Sequence, residues 1–308
     1  MANSKPKISV VIITYNQEKL IGRALDSILC QKDYVHEIIV ADDCSIDRNW
    51  DVISEYKRQF PSIVKPYQNE HNLGIFGNME STWGKVEGDI VFLLAGDDMF
   101  CDKIFEKTYE IVFRNKIDFE SESFLILFDF MVKNTNGDER IISNSLINKH
   151  NSLSLKIRNL IYNRSMGVSL SVIKKHISVK KEIGVCAEGL IDIQSHLFSD
   201  KAYYMPYVGS VYFSNIGITT RLNRHEHIIS YIRYYDVLRK MIEDTNQLTK
   251  EDTKWIIYSK SKFVFLNYPC FSNLLKYFFG LIRNSKIKYG FSFLKREYKV
   301  FVLNFLRI

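Results

Sequence analysis

Two adjacent carboxylates, Asp97 and Asp98, end the run F-L-L-A-G-D-D at residues 92–98. Like charges side by side repel unless something compensates them. Such a pair on a short turn suits a hard divalent cation, Mn2+ or Mg2+. That cation takes one or two protein carboxylates and fills its shell with water and phosphate oxygens. The chemistry it predicts is binding of a phosphate-bearing ligand. The competing reading is a solvated turn that caps the helix expected from near Asp102.

A second acidic pair, Asp42 and Asp43, lies in V-A-D-D-C-S-I-D (40–47). Asp47 alone suffices to cap a helix over 48–60. Asp42 and Asp43 are then left to accept hydrogen bonds from a base ring N–H or from ribose hydroxyls. Tyr15, in T-Y-N (14–16), either stacks on a base or fills a core edge. Gly74 and Gly77, in N-L-G-I-F-G-N-M (72–79), either let backbone approach a ligand or form the turn entering a helix. The chain has neither a G-x-x-x-x-G-K-[ST] loop nor a G-x-G-x-x-G fingerprint after its first strand.

The elements that position these residues alternate. K-I-S-V-V-I-I-T (7–14) is a β-branched run of the kind buried on both faces of a sheet. Leu20, Ile21, Ala24, Leu25, Ile28 and Leu29 form one helical stripe within 17–31. Strands are expected at 36–41, 62–68 and 89–95, with helices at 48–60 and within 72–88. This alternation predicts an α/β fold with a mostly parallel sheet and helices on both faces. Ligands bind beyond the carboxyl ends of such strands. Thr14, Tyr15 and Asn16, then Asp42 and Asp43, then Asp97 and Asp98 each follow a strand. Three strand ends should therefore converge on one crevice. Further strands are expected at 123–132 and 201–213, with mixed, mostly helical chain between them. A boundary is expected near residue 220.

The bulk numbers suit a globular chain: 46% hydrophobic and 25% charged over 308 residues. The five cysteines form no C-x-x-C pair, which argues against a disulfide framework or structural zinc and for a reducing cytosol. His176, His196, His225 and His227 lack metal-ligand spacing. The apolar run Ile8–Ile13 is too short for a signal-peptide core or a membrane span. The net charge of +7 is concentrated at the end of the chain, where residues 261–308 hold nine basic residues against Glu297 and thirteen Phe or Tyr. That helical, basic and aromatic region either lies on a membrane surface or packs on protein. No nucleic-acid module is present.

Taken in order, I-S-V-V-I-I-T-Y-N, E-I-I-V-A-D-D-C-S-I-D, N-L-G-I-F-G-N-M and E-G-D-I-V-F-L-L-A-G-D-D resemble the inverting family 2 glycosyltransferases of GT-A (Rossmann-like) fold. The likeness is in register over about the first 110 residues and weaker to about 220. It implies a nucleotide-sugar half at 1–110, an acceptor-side half at 111–220 and a helical region at 221–308. A nucleoside-diphosphate-sugar would contact Thr14, Tyr15, Asn16, Asp42, Asp43, Asn72, Gly74, Asn78 and Asp97. Within that set Asp43 would meet the base and Asp97 the sugar or ribose. Asp98 would bind Mn2+ or Mg2+. Ile13 and Ala95 depart from the family's usual Pro and Asp. The general base is expected in C-A-E-G-L-I-D (186–192). Glu188 aligns with the family's Glu, Gly189 stands where its Asp is usual, and Asp192 lies one helical turn on, so both Glu188 and Asp192 are candidates. The acceptor implied is a glycan or lipid-linked glycan at the cytoplasmic membrane face, in surface-polysaccharide synthesis. The rival reading is an inactive GT-A-like nucleotide-binding or scaffold module.

Overall fold

The structure is a computed structural model that describes residues 5–145, 164–176, 188–214, 216, 224–245 and 250–268, with five more positions in 272–279. The chain divides into two compact units, one from residues 1–153 and 161–221, the other chiefly from 222–308.

Among the described residues the first unit is built on a nine-stranded sheet. Strand β1 (Ile8–Thr14) sits between β2 (Glu37–Asp42) and β4 (Ile90–Ala95), parallel to both, with Val10 opposite Ile38 on one side and Phe92 on the other. β3 (Val64–Gln68) pairs parallel with β2. Among the described residues β3 is the edge strand, and it can carry Pro66, whose missing N–H suits that position. Beyond β4 the sheet turns mixed. β8 (Met166–Ser169) runs antiparallel between β4 and β6 (Phe124–Lys133), and β9 (Lys201–Phe213) runs parallel to β6. The β6–β9 register slips between Phe128 and Phe130, opposite the stretch of β9 that contains Pro206. The sequence turn at 134–137 closes a hairpin between β6 and β7 (Glu139–Ile142), with Gly137 at φ +88°.

Helix α1 (Ile21–Leu29) lays Ile21, Ala24, Leu25 and Ile28, all fully buried, on the sheet. Ile21, Leu25 and Ile28 each contribute about 1.5–3 kcal/mol by leaving water. The helices that follow are α2 (Asn49–Gln59), α3 (Gly74–Trp83), α4 (Ile104–Asn115), α5 (Leu170–His176) and α6 (Glu188–Leu197). Periodicity does not reveal β5 (Met99–Phe100), because two residues hold no period. Yet it matters for what precedes it. β4 is pinned by β1, and β5 pairs with Ser210 and Val211 of β9, so the turn between them is clamped at both ends. Phe92 and Phe100 fix it from below, edge to face at 5.7 Å, with Phe105 completing the cluster at 5.4 and 5.5 Å.

In the second unit, α7 (Arg224–Thr245) and α8 (Lys250–Asn267) pack through Tyr231 and Tyr235 against Phe263, at 5.1 and 6.4 Å between centroids. Among the described residues no helix is long and apolar enough to cross a membrane. Most of 261–308 lies outside the described residues.

Candidate active site

The loops after β1 and β2 are tied to one another by polar side chains. Asn16 takes a left-handed conformation (φ +52°), receives the Ile46 N–H on Oδ1 at 2.9 Å and donates its own N–H to Ser45 Oγ at 2.9 Å. Asp42 is fully buried and accepts from Ser45 N–H (3.0 Å) and Oγ (2.5 Å), Asn49 Nδ2 (2.6 Å) and Gln68 Nε2 (2.9 Å). Four protein donors hold both its oxygens, so this acid braces the loop. Asp47, just ahead of Arg48, the N-cap of α2, accepts the Asn49 N–H at 3.0 Å and the Glu18 N–H at 3.1 Å, so it ties the helix entry to the loop after β1.

Asp43 is placed differently. Its Oδ1 accepts Asn69 Nδ2 (2.9 Å) and the Leu73 N–H (2.8 Å), which orders the approach to α3. Among the described residues no hydrogen bond reaches Oδ2. Asn78 spends its side chain on Ala41 O and Asn69, tying α3 to β2. Asn72 accepts the N–H of Gly74, which lies at φ +75°, a conformation that only glycine adopts without strain. Tyr15 is half-buried beside these loops, and Thr14 is buried, receiving Asn49 Nδ2 and donating to Gln17 Oε1.

Asp97 and Asp98 are 8% and 6% exposed, which removes the reading of a solvated turn. Neither caps α4, whose N-cap is Lys103 with no side-chain bond. Their charge is met by two arginines that the sequence reading passed over. Arg23, from α1, stacks on Phe213 with Cζ 3.6 Å from the ring centroid and donates Nη2 to the Asp97 carbonyl. Burial pulls its guanidinium below the ordinary value, against the pull of Asp98 and Asp97. Arg164, just before β8, stacks on Tyr212 at 3.6 Å with Nη1 4.0 Å from Asp98 Oδ2. Asp98 Oδ1 accepts the Phe213 N–H at 2.9 Å.

The acceptor-side candidates separate here. Asp192, on α6, is 2% exposed, with Oδ1 3.5 Å from His196 Nδ1, and it lines one crevice with Asp98 and Arg164. Ile13, Leu94, Met79 and Trp83 supply apolar wall to that crevice. Glu188 opens α6, but its side chain lies outside the described part of the structure. Among the described residues no cluster of three or more His, Cys, Asp or Glu forms a closed metal cage. The donor set is thus one hard carboxylate, Asp98, with Asp97 beside it. That fits a divalent cation which draws its remaining ligands from a diphosphate and water.

Residues 9–150 match the profile described as Glycosyl transferase family 2. They form a family 2 glycosyltransferase domain. The sheet likewise has the GT-A arrangement of solved members. The structure of S. aureus TarS residues 1–349 in complex with UDP-GlcNAc superposes with a TM-score of 0.64 at 18% identity, over 89% of this chain and 79% of that one. Among curated proteins, an uncharacterized protein of Mycobacterium tuberculosis is 34% identical over 98 residues, 32% of this chain and 28% of the relative. The chain thus matches less than a third of that relative's length. The GalNAc(5)-diNAcBac-PP-undecaprenol beta-1,3-glucosyltransferase of Campylobacter jejuni is 22% identical over 262 residues, covering 80% of this chain and 77% of that enzyme. The family 2 domain contains every strand-end motif from Thr14 to Asp98, whereas Arg164 and Asp192 lie beyond the matched span.

Proposed function

We propose that the chain is a metal-dependent inverting glycosyltransferase that moves a sugar from a nucleoside-diphosphate-sugar to a glycan or lipid-linked acceptor. The observation that carries this reading is the shared crevice of Asp98 and Asp192. Both line one space whose wall runs along β4 from Val91 to Ala95 and includes Ile13 of β1; in this reading Asp98 is the donor-side acid and Asp192 the acceptor-side one.

In this reading Asp43 accepts a hydrogen bond from the base through Oδ2, with Tyr15 beside it. Asn16, Asp42, Asn72 and Asn78 hold the loops that shape the nucleotide pocket, and Asp97 meets the sugar or ribose. Asp98 holds Mn2+ or Mg2+, which when bound supplies positive charge against the diphosphate. Asp192, or Glu188 in its place, takes the proton of the acceptor hydroxyl. That oxygen forms the new bond to the sugar's anomeric carbon from the face opposite the diphosphate. The old carbon–oxygen bond breaks, and its electron pair leaves on the diphosphate.

Two further observations support an acceptor at the membrane face in surface-polysaccharide synthesis. The 261–308 region is basic and aromatic, and the C. jejuni relative is named for an undecaprenol-linked substrate. The test is incubation of the full chain with a panel of UDP-, GDP- and TDP-sugars, with Mn2+, Mg2+ or EDTA, reading release of the free nucleoside diphosphate. Metal-dependent release from one donor is expected. Nucleotide binding without release from any donor, even with lipid-linked acceptors supplied, would make the chain a binding module instead.

A further inference from the structure

His196 lies one turn beyond Asp192 on α6, and its side chain is 9% exposed. Its Nδ1 is 2.9 Å from the Asp192 carbonyl oxygen and 3.5 Å from Asp192 Oδ1. A carbonyl oxygen only accepts, so Nδ1 carries the hydrogen of that bond whether the ring is neutral or protonated. The backbone half of this arrangement is ordinary in this chain. Asn115 Nδ2 donates to the Ile111 carbonyl at 2.8 Å and Asn267 Nδ2 to that of Phe263 at 2.9 Å, each four residues back. The other half differs. In those two pairs the residue four back is apolar, whereas here it is an aspartate that is itself buried and lines the crevice.

We propose that His196 is the positioning residue of the general base: its Nδ1–H holds the Asp192 carboxylate charged and in place at the crevice. This deepens the glycosyltransferase reading and rests on Asp192 as the base. Burial disfavours a carboxylate's charge, and Asp98 adds a like charge on the same crevice. Among the described residues that line this space Arg164 is the one cation, and α5, packed on α6, offers it Ile173 and leaves Lys174 exposed. The His196 N–H meets the charge from behind. His196 is absent from the residues that line the crevice, so it reaches the reaction through Asp192. A donor anchored on the helix backbone needs no reorganisation when the acceptor arrives. The same anchoring fixes what the ring does not do. Nδ1 already carries a hydrogen, so it cannot receive the proton that Asp192 takes from the acceptor hydroxyl. Asp192 accepts that proton, and His196 keeps its own.

The experiment compares wild type, His196→Leu, His196→Asn and Asp192→Asn as full chains, with the donor that the panel of UDP-, GDP- and TDP-sugars identifies. Release of its nucleoside diphosphate gives kcat, calorimetric titration with that diphosphate gives Kd, and thermal melts report the fold. Leucine removes the N–H at similar bulk. Asparagine keeps an N–H that reaches the carbonyl four residues back, as Asn115 and Asn267 do, but it cannot take up a proton. His196→Leu should lower kcat by about tenfold or more and leave Kd within about twofold, whereas His196→Asn should lose less than about threefold in kcat. If His196→Leu does not fold, His196→Ala, which also lacks the donor, takes its place. Equal losses of kcat in both variants with melting unchanged would make the imidazole a proton carrier. Equal losses with lowered melting would mean a purely structural role, and no loss would mean no role. Each of these overturns the proposal and leaves the glycosyltransferase reading standing, as does full activity in Asp192→Asn, which would move the base elsewhere. A wild-type chain that releases nucleoside diphosphate from no donor would overturn both.

Discussion

A side chain at Gly96 has no room beneath Thr14: a Cβ there would lie 2.8 Å from Thr14 Oγ1 and 2.9 Å from Thr14 Cβ, and would also strike Gln17 Oε1. The glycine of A-G-D-D therefore sets the distance between the ends of β1 and β4. Thr14 cannot yield, since it is buried and held by Gln17 and Asn49. Gly96→Ala should cost about 1–3 kcal/mol of stability. The displaced turn should also lower turnover disproportionately. Thermal melts and donor-turnover assays check this, and a variant of wild-type melting temperature and activity would show the turn to be adaptable.

Asp98→Asn keeps an amide oxygen to accept the Phe213 N–H that Asp98 receives at 2.9 Å, so the fold should survive. The charge proposed to face a bound cation is lost. Turnover with Mn2+ or Mg2+ should fall about a hundredfold or more. Metal-dependent tightening of nucleotide binding should vanish with it. Wild-type activity in this variant would remove Asp98 from the metal site.

The central strands and helices of the fold were legible because each carries its own period. The β-branched run at 8–13 and the stripe from Leu20 to Leu29 announce themselves within a few residues. β5 was not legible, since Met99 and Phe100 are a strand only because β9 is there to pair with them. The acids at the strand ends were legible as types, though their division of labour was not. Asp42 and Asp43 are neighbours in sequence, yet one is spent on four protein donors and the other on two. Arg23 and Arg164 were invisible as site residues. One flanks an ordinary amphipathic stripe and the other precedes a four-residue strand. Only the end of β9, more than a hundred residues from the Asp97–Asp98 turn, brings Phe213 and Tyr212 beneath them.

Asp43→Asn tests the nucleotide pocket without dismantling it. One oxygen remains for Asn69 and the Leu73 N–H, while the acceptor proposed to meet the base becomes a donor. Affinity for the free nucleoside diphosphate, measured without metal, should drop by about 1.5–3 kcal/mol with little change in melting temperature. An unchanged dissociation constant would leave Asp43 as a brace for the loop into α3.

At the opposite end of the sheet Glu37 is fully buried and pairs with Lys65 at 2.8 Å, while accepting Ser9 Oγ (2.6 Å) and the Glu87 N–H (2.8 Å). Burial pushes this carboxyl up, but the bonds from Lys65, Ser9 and the Glu87 N–H outweigh it and leave the carboxyl below its ordinary 4.5. A depressed folded value means that the unfolded chain binds the proton first on acidification. The contribution is therefore present above 4.5 and is lost as pH falls through the folded value. Glu37→Gln should melt lower than wild type near neutral pH, and the gap should narrow as pH falls toward about 3. A gap independent of pH would mean that packing, not charge, is what Glu37 contributes.

The base is tested by separating chemistry from donor binding. A group that acts only on the acceptor hydroxyl should lower kcat when removed and leave nucleotide affinity nearly intact. Asp192→Asn preserves the shape of a side chain that is 2% exposed and lies 3.5 Å from His196, so the loss it reports is of proton acceptance rather than of packing. We expect a fall of about a hundredfold or more in kcat, a donor dissociation constant within about twofold of wild type, and an unchanged melting temperature. Glu188→Gln, one turn earlier on α6, should retain most activity. The reverse pattern would move the base to Glu188, and full activity in both variants would place it off this helix. The comparison is decisive because the two acids sit at i and i+4 on one helix. A general disturbance of α6 would lower both variants together and would also shift their melting temperatures, whereas loss of the base lowers one alone.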